Sequence, residues 1–521
     1  MQKHIFSILS LLFITFSFGQ KNIDLTSNLQ YPDKRLNDIW GYVDTAGNEY
    51  ALIGLETGFS IVDVSDAQTP EELFFIEDIE TVWRDVKTWD GFAYVVNEEE
   101  GGLLIVDLRS LPDTIFYEHN VIDGVFRTAH NIFIDENGIA YLVGTNVSWW
   151  GTAFIDLNTS DRFEPEQIGF YDDAYVHDCF VRNDTLWTSE LELGRLGVID
   201  ISDKSNPIPL AYHETTRLFT HNCWLSDDGQ YMATTDERAG AFVDMYNVSN
   251  LNNITLLDKY QSSPGDSVVP HNTFFLGDYL WTSYYRDGVT LVDATKKNNL
   301  VEVGNYDTSP FTSADGFEGA WGVYPYLPSG NILVSDREEG LFIFSATYTR
   351  AAYLEGNITQ DGNSQPIKDA KIEIIGTNYQ KESVLTGDYT IGVADGGFYD
   401  IRFSHPFCAT KIISNIVLET ALTTTLDATL DCDFSVGIEE YENTQVNIFP
   451  TVFDKKITIE FSADSKLEFI ELSTINGQVV KQLPIHEYEG TIVLNEKLAS
   501  GIYVIQLQFE DANESYQVIK N

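Results

Sequence analysis

Leu103–Ser110 reads LLIVDLRS, an apolar run that ends in Asp107 and a turn, and the chain repeats it. FSIVDVSD, AFIDLNTS, GVIDISDK, AFVDMYNV and TLVDATKK carry the same ending at Asp63, Asp156, Asp200, Asp244 and Asp293. The steps between the six aspartates are 44, 49, 44, 44 and 49 residues. GLFIFSATY continues the series with Ser345 in the aspartate position. A second series runs ahead of it through Asp38, Asp85, Asn131, Asp178, Asn222, Asn272 and Gly322. A fixed period of this length signals a repeat architecture.

Each period holds about four short strand-like runs; in the third they are NIFID, IAYLVG, TAFIDL and QIGFYD. The runs are more often apolar throughout than alternating, as suits sheets covered on both faces. Four strands per period predict one propeller blade per repeat. Seven periods, about Leu36 to Tyr348, predict a seven-bladed β-propeller. The seventh repeat stops after its third strand, and Lys21 to Gln30 has strand character. That segment is expected to supply the missing outer strand and cover the open edge. The recurrent aspartates are expected to cap the turn after the third strand by accepting backbone N–H groups.

The chain as a whole fits an exported all-β protein. At 521 residues it exceeds one ordinary domain. Phe and Tyr are abundant and Met is scarce, which favours strands. Thirty-one basic against eighty acidic residues give a net charge of −49, which repels nucleic acid and anionic lipid and attracts cations and basic partners. The N-terminus joins a short positive start, MQKH, to the apolar run Ile5–Phe18, with Ser17 and Gly19 placed for a cut before Gln20. Residues 1–19 are therefore expected to be a signal peptide. No later stretch is apolar enough to span a bilayer, so no transmembrane segment is expected in the mature chain.

Four cysteines suit an oxidising compartment. Cys408 and Cys432 are close enough in sequence to form a disulfide across a small sandwich. Cys179 and Cys223 each follow a histidine by two residues; buried thiols, an inter-repeat bridge and soft ligands all fit, buried thiols best.

LLIVDLRSLPDTI and GVIDISDKSNPIPLAYHE resemble the LVIVD repeats of the choice-of-anchor B family. The resemblance covers Leu36 to Tyr348 and implies export and a propeller, with no settled activity. It places the propeller domain at 20–351. QPIKDAKIEIIGTN and TGDYTIGV, within 352–433, are similar to carboxypeptidase-regulatory-like β-sandwiches, which serve as spacers or binding modules. Residues 434–445 are an acidic linker. Residues 446–521 resemble the C-terminal sorting domain of the type IX secretion system through the IFPT start, ELSTINGQVVKQ, LASGIYVIQL and the closing YQVIKN. That resemblance implies passage through the type IX machinery and removal of the domain. The product would be secreted, or anchored at the outer surface of a Gram-negative bacterium.

His130, His177, His221 and His271 open the inner strand in blades three to six; Asn37, Arg84 and Trp321 hold the matching places. The turns between second and third strands add Glu56, Glu98, Glu190, Asp236, Glu237, Arg286, Asp287, Asp336 and Arg337. Both sets are expected on one face of the central channel. Three readings fit. The His-Asn and His-Asp pairs tie adjacent blades together. Or the imidazoles hold a transition metal such as Zn, Cu or Fe, for which neutral imidazole is suited. Or the face, Arg84, Glu190, Asp236, Glu237, Arg286, Asp287, Trp321 and Arg337 included, takes a sugar, peptide or protein, with Tyr284, Tyr285, Trp149 and Trp150 as stacking surface. G-x-S-x-G, S-x-x-K and Walker motifs are absent. The expectation is a binding or interaction module acting through the channel face, with a metal-dependent hydrolase or oxidoreductase as the alternative.

Overall fold

The computed structural model describes residues 20–122, 126–146, 151–433, 446–461, 467–474, 479–484, 490–494, 498–509 and 513–521. Residues 1–19, expected to be a signal peptide, Trp149, Trp150 and residues 434–445, expected to be a linker, lie outside the described residues. Two compact units divide the chain near residue 432. Among the described residues there is no α-helix; a turn of 3-10 helix spans Leu191–Leu193. No helix there is long and apolar enough to cross a membrane.

The repeats fold as seven four-stranded antiparallel sheets, the blades of a propeller. Their innermost strands are Leu36–Val43, Arg84–Trp89, Asn131–Ile134, Asp178–Arg182, Thr220–Leu225, Thr273–Leu276 and Ala320–Tyr324. From the first blade to the sixth each packs against the next; Ala320–Tyr324 of the seventh packs on Tyr279–Ser283 of the sixth blade and on Leu36–Val43 of the first, which completes the ring. Second strands are sandwiched between sheets: every residue of Glu49–Leu55 is buried. Outer strands reach solvent, as at Ile208–Glu214. This gradient explains why the repeats read as apolar runs rather than as alternation.

Ile23–Leu29 pairs antiparallel with Gly340–Ala346, from Ile23 opposite Ala346 to Leu29 opposite Leu341. The last blade is thus built from both ends of the repeat region. Asn28 locks the seam, its amide donating to the carbonyls of Glu339 at 2.9 Å and Leu341 at 3.2 Å.

The turn caps form where expected in five blades. Asp63, Asp107, Asp156, Asp200 and Asp293 each accept the N–H two residues on, at 2.8 to 3.0 Å. The fifth blade corrects the series. Its capping residue is Asn247, which accepts Ser249 N–H at 3.0 Å and faces Tyr231 at the start of the second strand. Asp244 sits three residues earlier, buried, accepting Tyr246 O–H at 3.0 Å and Thr216 N–H at 3.2 Å. Pairing with the neighbouring strand sets the register, and the apolar-apolar-Asp pattern had slipped within it.

Ala352–Gln360 begins a two-sheet sandwich with strands Lys371–Ile374, Asp388–Val393, Gly397–His405 and Cys408–Leu418. Cys408 and Cys432 are joined by a disulfide, while Cys179 and Cys223 are buried free thiols. The sandwich packs on the propeller rather than hanging from it. Tyr353 and Ala394 share a core with Val301 and Val303 of the sixth blade. The capping carboxylate of Asp293 also accepts Ala351 N–H at 2.8 Å and Tyr353 O–H at 2.7 Å. The C-terminal unit is a separate pair of sheets around Ile459, Ile470, Leu472, Ile505, Leu507 and Val518.

Candidate functional site

A β-bulge opens the inner strand in most blades. His177 N–H donates to Ser189 O at 2.9 Å while Asp178 pairs with the same Ser189. His271 and Asn272 face Ser283 in the same way, and His130 and Asn131 face Val143. Register breaks at Thr220/Asn222 and Ala320/Gly322 do this for His221 and Trp321. Strict alternation would send neighbouring side chains to opposite faces; a bulge lets both face the axis. His130 with Asn131 and His271 with Asn272 accordingly line one channel cavity.

The four histidines form a continuous arc. Ring centroids are 3.9 Å apart from His130 to His177, 4.3 Å from His177 to His221 and 4.5 Å from His221 to His271, and Trp321 continues the arc at 4.8 Å. His271 Nδ1 lies 2.5 Å from Trp321 O, and His130 Nδ1 lies 2.5 Å from Glu98 Oε1. A carbonyl only accepts, so Nδ1 of His271 carries the proton and Nε2 keeps the lone pair when the ring is neutral. Nδ1 of His177 and His221 is buried without a well-formed hydrogen bond. The backbone of the next blade's histidine is nevertheless near enough to favour the charged rings somewhat.

Burial decides the protonation of the arc. Desolvation, then the neighbouring imidazoles, hold His177 and His221 well below the ordinary histidine value. Burial brings His271 down to about 3. Three uncharged imidazoles therefore face the channel at neutral pH.

Glu237 joins them from the fifth blade. The preceding Asp236 pins this loop by accepting Thr215 O–H at 2.6 Å, Arg217 N–H at 2.7 Å and Phe219 N–H at 3.1 Å. Glu237 Oε1 then lies 3.7 Å from His221 Nε2, 4.0 Å from His271 Nε2 and 2.5 Å from Tyr285 Oη. Burial pushes its carboxyl up to about 7, against the Tyr285 hydrogen bond. Among the described residues, one donor atom each from His177, His221 and Glu237 lie within 4.8 Å of one another. A tetrahedral ion with bonds of about 2.0–2.1 Å wants donors roughly 3.4 Å apart. A contraction of up to about 1.4 Å would let this donor set hold one.

Below the imidazoles lies a layer of buried charge. Lys87 Nζ sits 2.8 and 3.0 Å from the two Asp85 oxygens. Burial opposes its charge, but Asp85 and Asp38 outweigh burial and raise its pKa. Burial, then Asp85, raises Asp38; burial raises Asp178 to about 6. The same layer ties the blades: Asp85 Oδ2 accepts Ile132 N–H at 3.1 Å, and Asn222 Oδ1 accepts Thr273 N–H at 3.0 Å. Gly322 breaks the Asp/Asn series because the Asp38 carboxylate fills its place; a Cβ there would meet Asp38 Oδ1 at 2.3 Å.

The structure separates the other candidates. Arg84 is buried on Asp78 and the carbonyls of Leu55 and Ile79. Its blade pairs regularly at this point, Arg84 opposite Asn97 and Asp85 opposite Val96; Arg84 still lines the channel cavity, but its guanidinium is engaged by Asp78 and these carbonyls. Glu190 is held by Arg195 and Tyr171, Arg286 by Glu318, and Asp287 by Ser262 and Ser263. Arg337 stacks on Trp321, its guanidinium carbon 4.9 Å from the ring centre. Tyr284 and Tyr285 are buried, so they offer no stacking surface to a ligand. Asp38, Lys87 and the hydroxyl of Tyr285 were missed as parts of the site. The sequence signals for the charge layer are the recurrent Asp/Asn series through Asp38, Asp85 and Asp178 and a lone lysine inside the strand RDVKTW, Arg84–Trp89.

Two family models match the chain. The Secretion system C-terminal sorting domain covers residues 447–521, and the LVIVD repeat covers 45–77, 83–112 and 193–211. No curated protein matches. The sorting domain assigns the chain to type IX secretion, which implies contact with that machinery and makes the protein secreted or attached to the outer surface.

Proposed function

We propose that the exported propeller works through its channel as a metal-binding protein. A first-row transition ion, Zn, Cu or Fe, would be held by the imidazoles of His177 and His221 and the carboxylate of Glu237, with His271 Nε2 4.0 Å from that carboxylate as the next donor. The observation that carries this reading is the size of the site. The cavity beside this donor set, lined by the four histidines, Asp38, Asp85 and Trp321 but not by Glu237, is about 20 Å³. That is room for one ion or one water, and none for a sugar ring or a peptide. Uncharged, buried nitrogen donors around so small a space match what a transition ion requires. An enzyme, whether hydrolase or oxidoreductase, follows if the bound ion keeps an open coordination position.

The test is elemental analysis of protein purified without a histidine tag. The expected result is one equivalent of a transition metal, lost in the His177→Ala and His221→Ala variants while the blades remain folded. Protein with no metal after incubation with Zn, Cu or Fe salts, and with unchanged melting in chelator, would end the reading.

A second reading, a binding module for an organic ligand, has one observation in its favour. A groove of about 450 Å³ lies between the closing strand and the first blade, lined by Gln30 to Arg35, Glu56 and Glu338. Its size suits a small ligand, which the channel does not. Residues 20–351 would be the working domain in either case. Residues 1–19 would be the signal peptide, 352–433 a regulatory-like sandwich, 434–445 the linker and 446–521 the removable sorting domain. Membership of the choice-of-anchor B family is part of the same proposal.

A further inference from the structure

Tyr285 lies in the turn between strands Tyr279–Ser283 and Val289–Asp293 of the sixth blade. Its φ is +39°, a conformation that residues with a Cβ adopt at a cost. The turn is clamped to the seventh blade. Tyr285 N–H donates to Ala320 O at 3.1 Å, and Ala320 N–H returns the bond to Tyr285 O at 2.9 Å. Close approach is possible because residue 319 is glycine; a Cβ there would meet Tyr285 O at 2.4 Å.

Clamped this way, the ring is buried, 4.9 Å from the His271 ring, 5.4 Å from Phe317 and 6.0 Å from Trp321. The hydroxyl meets Glu237 Oε1 at 2.5 Å. This is the oxygen that faces Nε2 of both His221 and His271. A buried phenol needs only some acceptor, and a carbonyl would serve; here it takes the carboxylate that faces Nε2 of His221 and His271.

We infer that Tyr285 is the positioning residue for Glu237, aiming its carboxylate at the ion held by the channel histidines. The inference rests on the metal reading above. Three blades then cooperate in one ligand: the fifth supplies Glu237, the sixth supplies Tyr285, and the seventh holds Tyr285 in its strained turn. Outer groups that orient metal ligands typically change affinity by 10–100-fold when removed.

The experiment is a double-mutant cycle on the full chain, using Co²⁺ as the probe. Affinity is measured by competition with a chelator, and the visible Co²⁺ spectrum reports coordination. Tyr285→Phe keeps the ring and its packing and removes only the hydroxyl. It is expected to weaken Co²⁺ binding by about 10–100-fold and to alter the spectrum. In a Glu237→Gln background the same change is expected to have no further effect, because the link it breaks is already gone. Melting of the metal-free proteins checks the fold; should Tyr285→Phe melt early, the comparison is made well below its transition and the cycle still decides. Wild-type affinity and spectrum in Tyr285→Phe, or an equal loss in both backgrounds, would overturn the inference alone. A wild-type chain that binds no Co²⁺ would overturn the metal reading and this inference with it.

Discussion

The Asn222 side-chain amide donates to Asp178 Oδ2 at 2.7 Å, joining the fifth blade to the fourth inside the channel. Asn222 also accepts Thr273 N–H from the sixth blade. One side chain therefore spans three blades. Asn222→Ala would strand a buried carboxylate and a buried N–H together. The expected loss is about 2–4 kcal/mol, from one hydrogen bond to a charged group and one neutral orphan. Urea unfolding of the full chain measures it, and a loss below about 0.5 kcal/mol would mean that the blades do not depend on this tie.

Lys87 is the buried cation of the same layer, with Asp85 in direct contact and Asp38 close by. Lys87→Met keeps most of the stem and deletes the charge. Removing one partner of a buried ion pair typically costs about 3–5 kcal/mol, because the other charge stays behind. The defect should shrink as pH falls and the stranded carboxylates take up protons. A variant equally destabilised at pH 5 and pH 8 would argue that lost packing, and not lost charge, is the cause.

The ring was legible because its markers are side chains that end strands. Asp63, Asp107, Asp156, Asp200 and Asp293 occur at steps that count the blades, and the count fell one strand short at Ser345, which pointed to Ile23–Leu29. The site was legible only in part, because backbone irregularities aim it. Arg84 and His130 hold matching positions and line the same cavity, yet the Arg84 guanidinium is bound by Asp78 and two carbonyls while His130 joins the imidazole arc. Glu237 was one of many acidic candidates. Its selection depends on Asp236 pinning the loop and Tyr285 reaching across from the next blade, neither of which leaves a spacing in the sequence. In the fifth blade the VD pair Val243–Asp244 imitated the marker three residues early and hid Asn247.

Asp178 offers a pH test. Burial raises its folded-state pKa to about 6, above the unfolded value of about 3.9. Between about pH 4 and pH 6 the folded protein binds the extra proton, so this group makes stability fall as pH rises through that window. Asp178→Asn keeps the shape and an acceptor for Asn222 and removes the titration. The variant should gain on the wild type by an amount of order 2 kcal/mol between pH 4 and pH 7.5. Denaturant midpoints at both pH values supply the difference. A gap between the two proteins that stays constant with pH would show that Asp178 titrates as it does when unfolded.

The seam of the ring is closed by Ile23–Leu29, the outer strand of the seventh blade. Without Ile23–Leu29, the strand Gly340–Ala346 loses its outer neighbour along its whole length, and the apolar faces of Leu341 and Ile343 lose their cover. Exposed strand edges of this kind recruit other chains. Deleting residues 21–30 is therefore expected to cost several kcal/mol, as loss of buried packing does, and to produce dimers or aggregates that the complete chain does not form. Thermal melting with light scattering reads both effects. A truncated chain that stays monomeric and melts with the parent would mean that the inner contacts between Ala320–Tyr324 and the first blade close the ring without the outer strand.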